Sequence, residues 1–84
     1  MENNKIEIKI KRIISRLLDI GEAKITSKST LRDLGADSID QVEVVIELEK
    51  EFGIDFAANY PDELYSKTID EISAIIETKL LKLH

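Results

Sequence analysis

The chain has no cysteine and no tryptophan, and only one proline, one histidine and three glycines in 84 residues. Without cysteine there is neither a disulfide scaffold nor a thiolate-bound metal, although no compartment is identified by this alone. The single histidine is the terminal His84, so a Ser-His-Asp arrangement has no base on an ordered element. No apolar run approaches the roughly 20 residues that span a bilayer, and Met1-Glu-Asn-Asn does not open a signal peptide; a cytoplasmic protein is expected. A glycine-rich phosphate loop and a D-x-D-x-[DN]-G calcium loop are both missing. Asp37, Asp40 and Glu43 offer paired carboxylates or a weak divalent site, but on a helix face with no sign of an enclosed pocket. No catalytic residue and no metal ligand is assigned, and the chain reads as a non-enzyme.

With two Phe and two Tyr, any core is built from branched aliphatic side chains. Eighty-four residues form one domain, 1–84, burying roughly 60% of the surface its unfolded chain exposes. Ile6, Ile10, Ile13 and Leu17, joined by Ile14 and Leu18, make a helical stripe over about residues 4–19, with Asn3 or Asn4 as cap and Gly21 as stop. The opening IEIKIK also alternates like a strand, but a lone strand has no partner in so short a chain. Its lysines and arginines make this helix basic and amphipathic, yet its apolar face is needed for the core, so membrane binding is not expected. Glu22–Leu34 reads as a long loop pinned by Ile25, Leu31 and Leu34.

The stretch from Asp33 to Phe52, DLGADSIDQVEVVIELEKEF, is the centre of the chain. Gly35 signals a turn, and then about fifteen residues without Gly or Pro predict a helix that Gly53 stops. Two capping boxes are possible at its start, Ser38-x-x-Gln41 and Asp37 with Asp40. Either puts Ser38 in the first turn, where unpaired N–H groups and the helix dipole favour an anion. From spacing alone, a serine there serves more often as only a cap. At about 100° per residue, Asp40, Glu43, Glu47 and Glu51 form an acidic stripe, and Val44, Val45, Leu48 and Phe52 a core face. Ile39, Val42 and Ile46 form a second apolar strip, which fits either a deeply buried central helix or an exposed docking surface.

Beyond Gly53, Ile54 and Phe56 turn inward, PDELY opens a short helix at Pro61, and Thr68-x-x-Glu71 caps the last helix. Ile69, Ile72, Ile75, Ile76 and Leu80 line that helix's inner face. The fold class is therefore all-α, a small bundle of three long helices plus one short helix. Charge is uneven. Residues 1–32 hold eight Lys/Arg against four Asp/Glu, and residues 33–63 one Lys against ten acids. An acidic middle repels nucleic acid and anionic membrane and suits a partner with a basic patch; it also suits a purely solubilising face.

DLGADSID followed by VEVVIELEKEFGIDF closely resembles the second-helix signature of acyl carrier proteins. In that family the serine of the D-S-[LI] motif carries 4′-phosphopantetheine through a phosphodiester, so the resemblance makes Ser38 the covalent attachment site. It further implies a monomer that holds acyl groups as thioesters on the cofactor's thiol, the chain having none of its own. Its partners would be a phosphopantetheinyl transferase and acyl-transfer and chain-elongating enzymes with basic docking patches, as in fatty acid synthesis. Asp37, Asp40, Glu43, Glu47 and Glu49 would meet those patches, with Ile39, Val42 and Ile46 as the apolar part of the surface. Two departures stand out: Lys50 replaces an acid common in the family, and the span from Phe52 to Thr68 is about two residues longer than usual. A specialised polyketide or aminoacyl carrier shares the same features, and an unmodified helical adaptor is the third reading.

Overall fold

The computed structural model describes residues 2–56 and 64–82, with side chains from Lys5 onward. Three helices account for most of these: α1 (Glu2–Leu18), α2 (Ser38–Phe52) and α3 (Ile69–Lys82), with a short 3-10 turn at Glu22–Lys24. The all-α bundle is as expected. The expected short helix at Pro61 lies mostly outside the described residues, as do the other residues of 57–63 and the chain end at 83–84; Leu64 and Tyr65 are helical.

α1 packs against both other helices. Its stripe is buried at Ile6, Ile10, Ile13 and Ile14 and half-buried at Leu17 and Leu18. The strand-like alternation of IEIKIK is resolved by Ile8: a helix turns it about 200° from Ile6, and it stands 47% exposed. Asn3 and Asn4 lie inside the helix rather than capping it, because nothing in Glu2–Asn4 interrupts helical backbone. The other end also differs from expectation. Asp19, not Gly21, takes the left-handed conformation at φ 56°, and the Ile20 N–H reaches the Ser15 carbonyl at 3.1 Å. This is the terminating loop in which glycine is the usual residue. At the end of α2 the same role falls to Gly53, at φ 64°, whose N–H bonds the Glu49 carbonyl at 2.8 Å.

The long loop is tied down as expected, with Ile25 and Leu31 buried and Leu34 packed on the core. It also closes the start of α3. The N–H of Ile69 donates to the Ser29 carbonyl (2.9 Å) and that of Asp70 to the Ser27 carbonyl (3.0 Å). Glu71 N–H reaches the Thr68 hydroxyl at 3.3 Å, while the Thr68 N–H donates to the Glu71 carboxylate at 2.8 Å. The expected capping box is thus present, and with the two loop carbonyls it meets every N–H of the first turn. An isolated antiparallel bridge between Thr30 and Thr68 continues the seam. Ile69, Ile72 and Ile76 carry α3 into the core, with Ile75 and Leu80 half-buried; Ser73 is buried beside them.

A non-glycine residue in the left-handed region is strained, and an acid at a helix C-terminus opposes the dipole. Asp19→Gly is expected to stabilise the protein by ~0.5–1 kcal/mol, raising Tm by ~2–8 °C; an unchanged or lower Tm in thermal unfolding would count against it. At α3, the Thr68 hydroxyl and then the Lys28 ammonium hold the Asp70 carboxyl below its ordinary range, and hydrogen bonds from Thr68 do the same for Glu71. Both are more acidic folded than unfolded. Their contribution is therefore whole above about pH 5 and is lost as pH falls through their folded values. Thr68→Ala should cost ~0.5–2 kcal/mol at pH 7 and flatten the acid limb of stability against pH; denaturant titrations from pH 7 to 3 with parallel limbs would contradict this.

Candidate functional site

Between the loop and α2 the chain makes a tight turn. Gly35 N–H bonds the Arg32 carbonyl and Ala36 N–H the Leu31 carbonyl, each at 3.1 Å, and Ala36 is buried. This turn delivers Asp37 in extended backbone conformation as the N-cap of α2. Of the two capping boxes the sequence allows, the Asp37–Asp40 one forms. The Asp37 carboxylate accepts the Asp40 N–H at 2.8 Å, and the Asp40 carboxylate accepts the Asp37 N–H at 3.1 Å. An ionised carboxylate is a stronger acceptor than a hydroxyl and suits the positive helix end better.

Ser38 is consequently the first helical residue, not the cap. It is exposed, and among the described residues its hydroxyl makes no hydrogen bond. Gln41 N–H bonds the Asp37 carbonyl at 3.0 Å and begins the helical ladder. The N–H groups of Ser38 and Ile39 have no acceptor among the described residues. An exposed nucleophilic hydroxyl thus sits beside two unsatisfied donors at the positive end of a fifteen-residue helix. Those are features that fit a covalently held phosphodiester: a free oxygen to carry it and donors for its anionic oxygens.

The two apolar sectors of α2 separate cleanly. Val44, Val45 and Leu48 are buried, with Gln41 among them, and Phe52 is half-buried. Ile39, Val42 and Ile46 are 69%, 46% and 44% exposed. They are an outward strip running from Ser38, and the buried-central-helix reading is excluded.

The acidic residues do not form one uniform surface. Asp37 and Asp40 are engaged with each other's backbone, leaving their charge at the helix start, and Glu43 is exposed. Glu47 is held by two cations, Arg16 Nη2 at 3.6 Å and Lys50 Nζ at 3.7 Å. Glu51 pairs with Lys9 at 3.2 Å, and the ammonium of Lys9 also lies 5.8 Å from the centre of the Phe52 ring. Glu49 is half-buried and accepts the Phe56 N–H at 2.8 Å. Ile39, Val42, Ile46 and Glu43 are therefore open on one face, while Glu47 and Glu49 are already occupied within the chain. Lys9 and Arg16 were not singled out from sequence. They stand two helical turns apart on α1, whereas the acids they meet are one turn apart on α2, so spacing alone does not pair them. Only the antiparallel approach of α1 and α2 shows which acids they meet.

Two surface depressions, one along Ala74, Ile75 and Thr78 and one between Lys5, Lys9, Phe52 and Leu80, do not include Ser38. Among the described residues no group of three His, Cys, Asp or Glu is placed to hold a metal ion, and no helix is long and apolar enough to cross a membrane.

Residues 9–76 match a family model described as a phosphopantetheine attachment site. The chain is also similar to an acyl carrier protein of Buchnera aphidicola subsp. Schizaphis graminum (strain Sg), 41% identical over 73 residues that cover 83% of this chain and 92% of that one. With a family model spanning most of its length and a relative matched nearly end to end, the chain belongs to the acyl carrier protein family, whose members carry phosphopantetheine.

Proposed function

We infer that Ser38 is the attachment residue and that α2 docks the enzymes that load and use the cofactor. The observation that carries this is the division of labour at the helix start. Asp37 and Asp40 cap α2 between them, so the serine has no capping duty, and its hydroxyl and two neighbouring N–H groups stay free. When bound, 4′-phosphopantetheine supplies the thiol that this cysteine-free chain lacks, and acyl groups attach there as thioesters.

The protein's own contribution is position and recognition. The capping box holds the first turn rigid, so the Ser38 oxygen is presented in one place to a phosphopantetheinyl transferase using coenzyme A. Ser38 and Ile39 N–H groups and the helix dipole favour the phosphodiester anion. Ile39, Val42 and Ile46 bury apolar area against a partner, while Asp37, Asp40 and Glu43 attract lysines and arginines around its active-site entrance. The chain acts as a carrier, and the bond-making residues belong to its partners. Similarity to a named acyl carrier protein favours acyl groups of the fatty-acid-synthesis type over aminoacyl cargo, with a monomeric, cytoplasmic carrier as the working form.

Incubated with coenzyme A and a broad-specificity transferase, the apo protein should gain one phosphopantetheine by mass spectrometry, and Ser38→Ala should gain none. Because Ser38 is not the cap, that variant should keep its stability within about 0.5 kcal/mol. Modification that persists in a folded Ser38→Ala protein would move the site elsewhere.

For docking, Glu43→Lys is the clean charge reversal, since changing Asp40 would also break the cap. It should slow transfer to a partner enzyme chiefly through the association rate, by an amount that shrinks as salt shortens the Debye length to about 8 Å. Ile46→Asp should slow it with little salt dependence. Unchanged rates for Glu43→Lys at low salt would leave the acidic face a solubilising surface only.

A further inference from the structure

Along α2 the charge changes character between its two ends. Near Ser38, no lysine or arginine pairs with Asp37, Asp40 or Glu43 among the described residues. Nine residues beyond the serine, about 13 Å at the helical rise, the situation reverses. Glu47 has one carboxylate oxygen facing Arg16 and the other facing Lys50, at 3.6 and 3.7 Å. Glu51 faces Lys9 at 3.2 Å, and Glu49 is turned to the Phe56 N–H. Two of these three acids are thus paired, by three bases in all, and the third is turned to a backbone N–H. Two of those bases, Lys9 and Arg16, come from α1 and stand two helical turns apart on the side facing α2.

Exposed pairs of this kind contribute little to folding stability. Their effect lies in the field outside the molecule. A partner's lysine or arginine reaching toward Glu47 meets a carboxylate already neutralised on both oxygens, with two cations beside it. One reaching toward Glu43 meets an unopposed negative charge. Unlike contacts that merely fail to form, misplaced like charges actively disfavour a wrong partner.

We propose that Lys9, Arg16 and Lys50 determine partner specificity by neutralising the Gly53 end of α2. The chain then accepts enzymes whose basic residues cluster around the Ser38 end and discriminates against those with basic residues spread along the whole helix. This rests on the docking reading given above and adds to it which partners are selected. In water a unit charge about 10 Å from another changes an encounter rate roughly twofold at low ionic strength.

The test uses the full-length holo protein and an acyl-transferring enzyme chosen because lysines and arginines extend for about 16 Å, three helical turns, beside its active-site entrance. Steady-state kcat/KM is measured at low and high salt for the wild type, Glu43→Lys, Arg16→Gln, Arg16→Lys and the double variant Lys50→Glu with Arg16→Gln. Arg16→Gln should raise kcat/KM about twofold at low salt, and the double variant about fourfold to eightfold. The gain should vanish at high salt with kcat unchanged, and Arg16→Lys should behave as wild type. A purely structural role would move Tm instead and show no salt dependence. If Glu43→Lys slows transfer while the double variant leaves it unchanged or slower, the neutralisation proposal fails and the docking reading stands. If neither variant moves the rate, the docking reading itself falls and the proposal with it.

Discussion

Every helix begins with N–H groups that have no carbonyl one turn back, and this chain meets that constraint in two opposite ways. At α3 the long loop supplies the Ser29 and Ser27 carbonyls to Ile69 and Asp70, and Thr68 and Glu71 cap each other's backbone. The turn is closed, and the loop is anchored to the core in the same stroke. At α2 the reciprocal box of Asp37 and Asp40 meets those two residues' own N–H groups, but no loop carbonyl meets the two between them. These, on Ser38 and Ile39, face outward. A helix start left open is where an anion is best accommodated, and the exposed serine hydroxyl stands there.

The same helix has two apolar faces, and the fold buries only one of them. Val44, Val45 and Leu48 join the isoleucines of α1 and α3 in the core. Ile39, Val42 and Ile46 leave the serine along the outer face, an exposed strip that folding alone does not require. Acidic charge borders that strip, but its strength is graded by α1, whose Lys9 and Arg16 reach across to Glu51 and Glu47. On the docking reading proposed above, packing and recognition share an element. The helix that carries much of the core-facing isoleucine also shapes the electrostatic surface of its neighbour.

Several features were legible from residues alone. The apolar periodicity of α1 and α3, the stop at Gly53, the Thr68–Glu71 capping box and the inward turn of Ile54 and Phe56 all follow from local spacing and were read as they occur. The central motif, by resemblance, also pointed to Ser38 and to the family that the comparisons show. Boundaries were less legible. Asp19, in the left-handed conformation, stops α1 two residues before the expected glycine, with the Ile20 N–H closing on the Ser15 carbonyl.

What the sequence by itself determined is which segments are helical and which side of each is apolar, since both depend on interactions within a few residues. Tertiary structure decided the rest. Which of two capping boxes closes α2, whether the second apolar strip is buried, and which carboxylates are free or paired all depend on what approaches from elsewhere in the chain. Asp37 wins the cap because the Gly35–Ala36 turn brings it in extended. Ile39, Val42 and Ile46 stay outside because α1 and the loop pack on the opposite face. Glu47 is neutralised because α1 lies antiparallel to α2, and no local pattern in DQVEVVIELEKEF carries that information.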